Sequence, residues 1–328
     1  MNTKNETFSI HVVKKDDGKR LDHFLSTQLN QVSRTTVCDA IKQGYIRVNN
    51  TSKKPSYHVK ELDCITGCLP ERQPVLFSPE PIPLEILFED DDILVINKPD
   101  GLVVHPAPGN YHGTLVNALL YHYPTLKGIG NDDRPGIVHR LDKHTTGAII
   151  IAKNYVAHQR LSEYFKERQV KKKYLALVWG KCSSSDGHIT LPIGRHLSDR
   201  KKMSVATSKP RHAETYWQVK KTLGPITLLE VTLLTGRTHQ IRVHCSAMQH
   251  PIVGDDVYGY KTIPSHLINT NNPLYEQFKK IVTRQMLHAF QLGLPHPRNQ
   301  QWMAFEAPIP QDMLNMIDLL EQASIISF

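Results

Sequence analysis

The chain has 328 residues, 40% of them hydrophobic, and a formal net charge of +9. This length exceeds one typical domain and supplies enough apolar residues for a sizeable core. No apolar run approaches the roughly 18 residues that cross a bilayer, and the polar first six residues carry no secretory signal. The composition therefore excludes an integral membrane protein, and we expect a soluble, cytoplasmic one.

The cysteines and histidines give no sign of a cross-linked or metal-bound fold. The five cysteines form no paired C-x-x-C cluster, and the 18 histidines show no metal-ligand spacing. We therefore expect reduced thiols and no metal site.

Positive charge is concentrated near the N-terminus. Residues 14–60 contain ten basic and four acidic side chains, so they carry six of the nine net charges. A basic cluster of this kind is typical of a nucleic-acid module, and a basic surface kept for solubility is the equal alternative.

Two helices and a strand are predicted in this basic segment. Apolar residues at helical spacing predict a first helix over residues 19–30. Ser33 is a candidate N-cap for a second helix that ends near Gly44, and residues 45–50 read as a strand followed by a turn. The pattern predicts a compact unit over residues 1–68.

This unit resembles the S4 RNA-binding module. The resemblance rests on R-L-D-x-F-L from Arg20, the Ser33-Arg34 pair and the run from Ile41 to Asn49. It implies that Arg20, Arg34 and Lys42 bind RNA phosphates.

A proline-rich linker is predicted next, over residues 69–83. Five prolines stiffen this segment and remove amide donors. The remaining residues, 84–328, then form one large domain. Two apolar runs, 84–88 and 93–98, flank an acidic turn and predict a hairpin at its start.

The segment from Pro135 to Gly147, P-G-I-V-H-R-L-D-K-H-T-T-G, carries one acid, Asp142. It directly precedes residues 148–152, whose β-branched, apolar character predicts a buried strand. An acid on a loop held by a strand suits catalysis, and a solvated turn acid is the common alternative.

Two further segments offer candidate site residues. After a helix over 158–167, residues 170–178 read as a strand that carries Lys172 and Tyr174. From the pattern alone, Tyr174 reads as a buried aromatic of the sheet. A second basic segment over 195–212 suits RNA binding and a solvated loop equally well.

Residues 235–244 carry a dense polar motif, T-G-R-T-H-Q-I-R-V-H. Alternation of polar and apolar residues after Gly236 predicts a strand. In that strand Arg237 and His239 share one face, and Arg242 lies on the other.

These motifs, in this order, resemble the RluA/RluD-type pseudouridine synthases, and the RluD branch most closely. Further matches are N-K-P-x-G-L-V-V-H-P from Asn97, G-D-x-x-Y-G from Gly254 and R-Q-x-L-H-A from Arg284. The segment 260–283 reads as a variable insertion. The resemblance agrees with the α+β fold that the many strands and few long helices predict, with a mixed, largely antiparallel sheet.

The resemblance also implies an activity and a site. A flipped uridine in 23S ribosomal RNA, free or in the large subunit, is isomerised to pseudouridine without a cofactor or metal. Asp142 is the catalytic residue, as a nucleophile or as a base, Arg237 is its partner and Tyr174 lies against the base. The residues implied in binding the substrate are Lys172, Arg140, His239 and Arg242.

Two alternatives stay open, and a monomer is expected in each case. The first is an enzyme of the same fold that acts on tRNA or another rRNA site. The second is a non-catalytic RNA-binding assembly factor.

Overall fold

The described chain divides into two compact units, Met1–Pro74 and Val75–Phe328. The computed structural model describes residues 7–29, 32, 34–69, 78–106, 111–131, 134–199, 202–260 and 273–326. The predicted N-cap Ser33 lies outside these ranges. Within the predicted linker, Ser78 O accepts a hydrogen bond from Asn117 Nδ2 at 2.9 Å and Glu80 N donates one to Asn117 O at 3.0 Å. This end of the segment therefore packs on the second unit.

The first unit contains two helices and a small sheet. Its elements are β1 (Thr7–His11), α1 (Leu21–Gln28), α2 (Arg34–Lys42), β2 (Ile46–Val48) and β3 (Cys64–Cys68). The strands pair antiparallel in the order β1-β3-β2. Phe24 and Leu25 of α1 are buried with Val37 and Ile41 of α2, as their helical spacing predicts.

The second unit contains both strands and helices. Its first half contains β4 (Glu85–Glu89), β5 (Ile93–Lys98), α3 (Leu115–His122), β6 (Gly130–Asn131), β7 (Arg134–Pro135), β8 (Thr146–Ala152), α4 (Tyr155–Lys166), β9 (Lys171–Trp179) and β10 (Asp186–Ile189). Its second half contains β11 (Gly194–Arg195), β12 (Met203–Ser204), β13 (Thr215–Leu223), β14 (Ile226–Leu233), α5 (Gln240–Ala247), α6 (Pro273–Ile281), β15 (Leu287–Pro295), β16 (Trp302–Glu306) and α7 (Gln311–Ile326).

A nine-stranded sheet organises this unit, in the order β10-β13-β14-β9-β15-β8-β5-β4 with β16 paired to β15. Among the described strands of this sheet, β8 and β15 pair in parallel and the other neighbours are antiparallel. The predicted α+β fold with a mixed, largely antiparallel sheet is confirmed.

Both faces of the central strands are buried. Tyr174 and Ala176 of β9 pack in a core that also contains residues of α3 and α5, whereas Leu175 and Leu177 pack on the opposite face with α6 and α7. Adjacent residues of a strand point to opposite faces, so the position of Tyr174 in β9 assigns it to the α5 side. No helix within the described ranges is long and apolar enough to cross a membrane.

The predicted strand over residues 235–244 is wrong, because Gln240–Ala247 form helix α5. The side-chain oxygen of Gln240 accepts hydrogen bonds from Arg237 N at 2.9 Å and from Thr235 Oγ1 at 2.7 Å, which fixes the turn before the helix. A short alternating pattern does not separate a strand from a helix that is buried on several sides.

Candidate active site

A cavity of about 490 Å³ opens on the α5 side of the second unit. This volume lies in the range of small-ligand sites. The predicted site residues that line it are Arg140, Asp142, Lys172, Tyr174, Arg237, His239 and Arg242. The other predicted RNA contacts, Arg20, Arg34 and Lys42, belong to the first unit.

Three buried donors hold the loop that carries Asp142. Lys98 Nζ donates to the carbonyl oxygen of Lys143 at 3.0 Å, and to two other carbonyls at 2.8 and 2.9 Å. Arg284 Nη1 donates to the His144 carbonyl at 3.3 Å, and Gln285 Nε2 donates to Thr145 Oγ1 at 2.8 Å. Each of the three residues after Asp142 is therefore fixed by a donor from a distant part of the chain.

His139 holds the other side of this loop. Its ring stacks on Phe165 with the centroids 4.6 Å apart, and its Nε2 accepts a hydrogen bond from Ile150 N at 3.0 Å. Burial lowers the pKa of His139 to about 3. The neutral ring that this value implies is the form that leaves Nε2 free to accept.

The partner of Asp142 is Arg242. Arg242 Nη1 lies 3.2 Å from Asp142 Oδ2, and the side chains are 6% and 17% exposed. The guanidinium of Arg242 also makes a bidentate contact with Asp255, in which Nε donates to Oδ2 at 2.7 Å and Nη2 donates to Oδ1 at 2.9 Å. Asp255 Oδ1 also accepts from the Val257 and Tyr258 amides, both at 2.9 Å. Arg242 thus bridges two carboxylates, one fully buried and one facing the cavity.

The electrostatics of this pair follow from burial and charge. Burial disfavours the Arg242 cation, yet the hydrogen bonds and charges of Asp255 and Asp142 outweigh it and raise its pKa above the ordinary value. For Asp255, burial likewise opposes the charged form, but the bond to Arg242 lowers its pKa. Both groups are charged at neutral pH.

The predicted pairing of Arg237 with Asp142 is wrong. Arg237 Nε donates instead to the carbonyl oxygen of His212 at 2.9 Å. The physical reason is the helix: His239 and Arg242 are three residues apart at the start of α5 and share one face. On that face His239 Nε2 also lies 3.9 Å from Asp142 Oδ1.

His239 and Tyr258 complete the wall next to the acid. His239 adopts a left-handed backbone with φ of 56°, and its Nδ1 lies 2.8 Å from Tyr258 Oη. Tyr258 Oη in turn accepts from Met203 N at 2.8 Å, and the Arg242 guanidinium lies 5.1 Å from the ring centroid. These contacts fix the orientation of His239 and Arg242, the two side chains that face Asp142.

Tyr174 and Lys172 form the wall contributed by β9. Burial, with a smaller contribution from the charge of Asp142, raises the pKa of Tyr174, so its hydroxyl stays protonated. Lys172 Nζ lies 5.9 Å from the centroid of Phe165. Tyr174 can be both a buried aromatic of the sheet and a residue that lies against a base, because its ring is 7% exposed and also lines the cavity.

In the first unit, a buried acid organises two predicted RNA contacts. Asp22 is 3% exposed, and its Oδ2 lies 2.9 Å from Nη2 of both Arg20 and Arg34. The hydrogen bond from Arg20 contributes most to lowering the pKa of Asp22 well below its usual range, against an opposing effect of burial. Lys42 is exposed, with Asp39 at 3.8 Å. Both arginines are about half exposed.

Among the described residues, Asp90, Asp92 and His296 could together hold a metal ion, since their ligand atoms lie within 4.8 Å of one another. Arg298 Nε lies 2.7 Å from Asp92 Oδ2 and His296 Nε2 lies 2.9 Å from Asp90 Oδ2. Arg298 already neutralises Asp92, and the group has no residue among those that line the cavity.

Sequence reasoning missed Lys98, Arg284 and Asp255 as site residues. All three lie inside motifs that support the resemblance, but their charges carry no signal of which carbonyl or side chain they bind. The signal that could have identified them is burial, since a charged residue in a protein core is rarely buried without a specific partner.

Comparisons with known proteins agree with this geometry. A family model of RNA pseudouridylate synthases matches residues 92–247, and a model of the S4 domain matches residues 19–63. An RNA pseudouridine synthase of Aquifex aeolicus is 42% identical over 93% of this chain and 95% of its own length. The ribosomal large subunit pseudouridine synthase D of Nitrosomonas europaea is 42% identical over 92% of this chain and 85% of its own length.

A solved structure shows the same relationship. The human RNA pseudouridylate synthase domain containing 4 is 28% identical, with a TM-score of 0.59 over 72% of this chain and 93% of that chain. Identity above 40% over nearly the whole length, on a fold with an acid and an arginine paired in its main cavity, places this chain in the RNA pseudouridine synthase family, as an enzyme that isomerises uridine to pseudouridine.

Proposed function

We propose that this enzyme isomerises uridine in large-subunit (23S) ribosomal RNA, with Asp142 as the catalytic carboxylate. The observation that carries the role of Asp142 is its position: a partly exposed carboxylate, bound to Arg242 at 3.2 Å, in a cavity of nucleoside size. The substrate class is supported by relatives named ribosomal large subunit pseudouridine synthase D, at 39% to 42% identity.

The reaction breaks the bond between N1 and C1′ of uridine, turns the base and joins C5 to C1′. The proton on C5 is released and N1 gains one, so the atoms and electrons of the base and sugar balance without an oxidant or a cofactor. Asp142 acts either as a nucleophile at C1′ or C6, or as a base that takes the C2′ proton. In each case the carboxylate must be ionised and aimed at the sugar, which is the orientation that Arg242 fixes.

Tyr174 supports the base while it is out of the RNA stack. Flipping a base into a pocket costs a few kcal/mol, and stacking on an aromatic ring returns about 1 to 3 kcal/mol. The protonated hydroxyl of Tyr174 adds a donor close to Asp142 and the reacting base. Leu233, Ile241 and Leu287 supply apolar surface around the same space.

The substrate class is tested with unmodified transcripts of 23S rRNA and of tRNA, each labelled with tritium at uridine C5. We expect the full-length enzyme to release tritium from the 23S transcript, and chemical mapping to place pseudouridine at defined sites there. Release from tRNA alone would contradict the proposed substrate and favour the tRNA alternative. If neither transcript releases tritium, and a labelled ribosomal particle releases none either, the 23S rRNA substrate and the tRNA alternative are both contradicted.

A further inference from the structure

Three cations line the part of the cavity formed by the end of α4, the start of β9 and the turn before α5. They are Arg168, Lys172 and Arg237. Within the described ranges, no carboxylate oxygen lies within 4.0 Å of any of the three. Arg242, in the same cavity, has Asp142 and Asp255 as partners. This end of the cavity therefore has three positive charges that these acids do not neutralise.

Lys172 Nζ would lie 3.8 Å from a Cβ built at Gly236, the residue before Arg237. Arg168 is close enough to affect both other cations. Burial, and then the charge of Arg168, lowers the pKa of Lys172 to about 8. The pKa of Arg237 is lowered by burial first and then by the charges of Arg211 and Arg168. Like charges brought together in a partly closed space repel each other, and a bound anion would remove that repulsion.

The backbone of Arg168 gives an independent indication. Arg168 follows the C-terminus of α4 with φ of 62°, a left-handed conformation that usually requires glycine after a helix. Strained residues of this kind concentrate at functional sites. Here the strained residue carries a guanidinium that lines the cavity.

The other two cations are fixed by their own contacts. Arg237 is anchored by its Nε bond to the His212 carbonyl at 2.9 Å, which leaves its terminal nitrogens available. Lys172 lies over the ring of Phe165, which also stacks on His139. A preformed group of donors of this kind matches a phosphate, whose oxygens accept several charged hydrogen bonds at once.

We propose that Arg168, Lys172 and Arg237 bind a backbone phosphate of the RNA beside the nucleotide whose base enters the cavity. This phosphate fixes the sugar so that C1′ faces Asp142, which lines the same cavity. Phosphate contacts position the nucleic acid and base contacts read it. The inference rests on the proposed function only in requiring an RNA ligand.

The test uses the full-length protein with Arg168→Gly and measures binding of oligouridylate against salt concentration. Glycine suits the left-handed backbone, so we expect a higher melting temperature. Affinity should fall by about tenfold or more, since a charged hydrogen bond is lost. Because the three cations share one phosphate, the slope of log affinity against log salt should shrink by no more than about 0.7, the value for one phosphate contact on a single strand.

The matched control is Gln249→Gly. Gln249 also has a left-handed backbone after a helix, with φ of 65°, and it is not among the residues that line the cavity. The Gln249→Gly variant should be more stable than the wild type, and its RNA affinity and salt slope should equal those of the wild type. Arg168→Lys should keep most of the affinity, and Lys172→Met and Arg237→Gln should each weaken binding as Arg168→Gly does, with a slope loss of no more than about 0.7 because all three act on one phosphate.

Unchanged affinity and slope in Arg168→Gly would overturn the inference, as would an equal loss in Gln249→Gly or salt-independent binding by the wild type. None of these readouts needs turnover. A wild type that fails to modify 23S rRNA therefore contradicts the proposed function alone, and normal binding by Arg168→Gly contradicts the phosphate site alone.

Discussion

At the scale of single residues, the site depends on which arginine contacts the acid. Arg242 holds both Asp142 and the fully buried Asp255, whereas Arg237 contacts a backbone carbonyl at the cavity wall. Removing one member of a buried ion pair leaves the other charge buried without a partner, which costs more than the pair itself contributes. The two arginines should therefore respond differently to the same substitution.

We expect Arg242→Gln to lower the free energy of unfolding by about 3 kcal/mol and the single-turnover rate by about 100-fold. Arg237→Gln should leave the free energy of unfolding within about 0.5 kcal/mol of the wild type, and should act on RNA affinity. Denaturant unfolding measures the effect of each variant on stability, and single-turnover kinetics measure its effect on the rate. The reverse ranking would restore Arg237 as the partner of Asp142.

His139 predicts a pH dependence of stability. Its pKa is about 3 in the folded protein and near 6.5 unfolded. Between these values the unfolded chain binds a proton that the folded protein does not, so stability is lost as pH falls from 6.5 towards 3. The contribution is up to about 1.4 kcal/mol per pH unit. Above pH 6.5 the contribution of His139 to stability no longer changes with pH.

We expect His139→Gln, which keeps an acceptor for the Ile150 amide, to reduce the slope of unfolding free energy against pH in this window. The exposed His23→Gln serves as the control and should retain the wild-type slope. Equal slopes for both variants would show that His139 titrates normally and does not hold the loop as a neutral acceptor.

At the scale of elements, the parallel pair β8 and β15 fixes the end of the Asp142 loop. Gly147 of β8 has φ of 110°, and a Cβ there would lie 2.3 Å from the carbonyl oxygen of Ala289 in β15. The two strands approach this closely at the point where the loop enters the sheet. The geometry requires glycine for two reasons, the backbone conformation and the missing side chain.

Gly147→Ala should therefore destabilise the protein by more than about 4 kcal/mol, the size of the most damaging single substitutions. Gly224→Ala separates the two reasons, because Gly224 also has a positive φ, of 61°, but has nothing within 4 Å of its Cβ position. It should cost only about 1 to 2 kcal/mol. Similar losses for the two variants, measured by denaturant unfolding, would rule out the steric contact.

The sequence predicts most of these elements because their apolar patterns are local. The strands β5 and β9 and the helix α1 begin and end within two residues of their predicted bounds. The alternating pattern predicts a strand where helix α5 lies, because the buried face of this helix is wide. The pairing of Arg237 with Asp142 rests on the resemblance, whereas the structure places Arg242 beside the acid. The contacts of Lys98 and Arg284 with the loop join residues 45 and 140 positions apart, and spacing along the chain holds no information on such pairs.

At the scale of the whole molecule, positive charge is divided between two units with different tasks. The first unit presents Arg20 and Arg34, both held by the buried Asp22. The second unit contains the cavity. If the first unit contributes only phosphate contacts, it binds the ground state and the transition state equally, and it alters KM without altering kcat.

The double variant Arg20→Gln, Arg34→Gln removes both ion-pair partners of the buried Asp22, so it should also destabilise the first unit. At a temperature where that unit stays folded, KM for RNA should rise about tenfold or more and kcat should stay unchanged. The salt slope of the double variant should shrink by about 1.8 on a duplex substrate, the value for two phosphate contacts. Lys181→Gln, an exposed position past the far end of β9 from Lys172, is the control. A fall in kcat with constant KM would show that these arginines act on chemistry instead.

The role of Asp142 is tested by measuring the single-turnover rate and the RNA affinity of Asp142→Asn in parallel. Asparagine keeps the size of the side chain and removes its charge. We predict a rate at least about 10⁴-fold lower, with a dissociation constant within about twofold of the wild type, since the phosphate contacts are untouched. A variant that still forms pseudouridine at a tenth of the wild-type rate would contradict the role of Asp142.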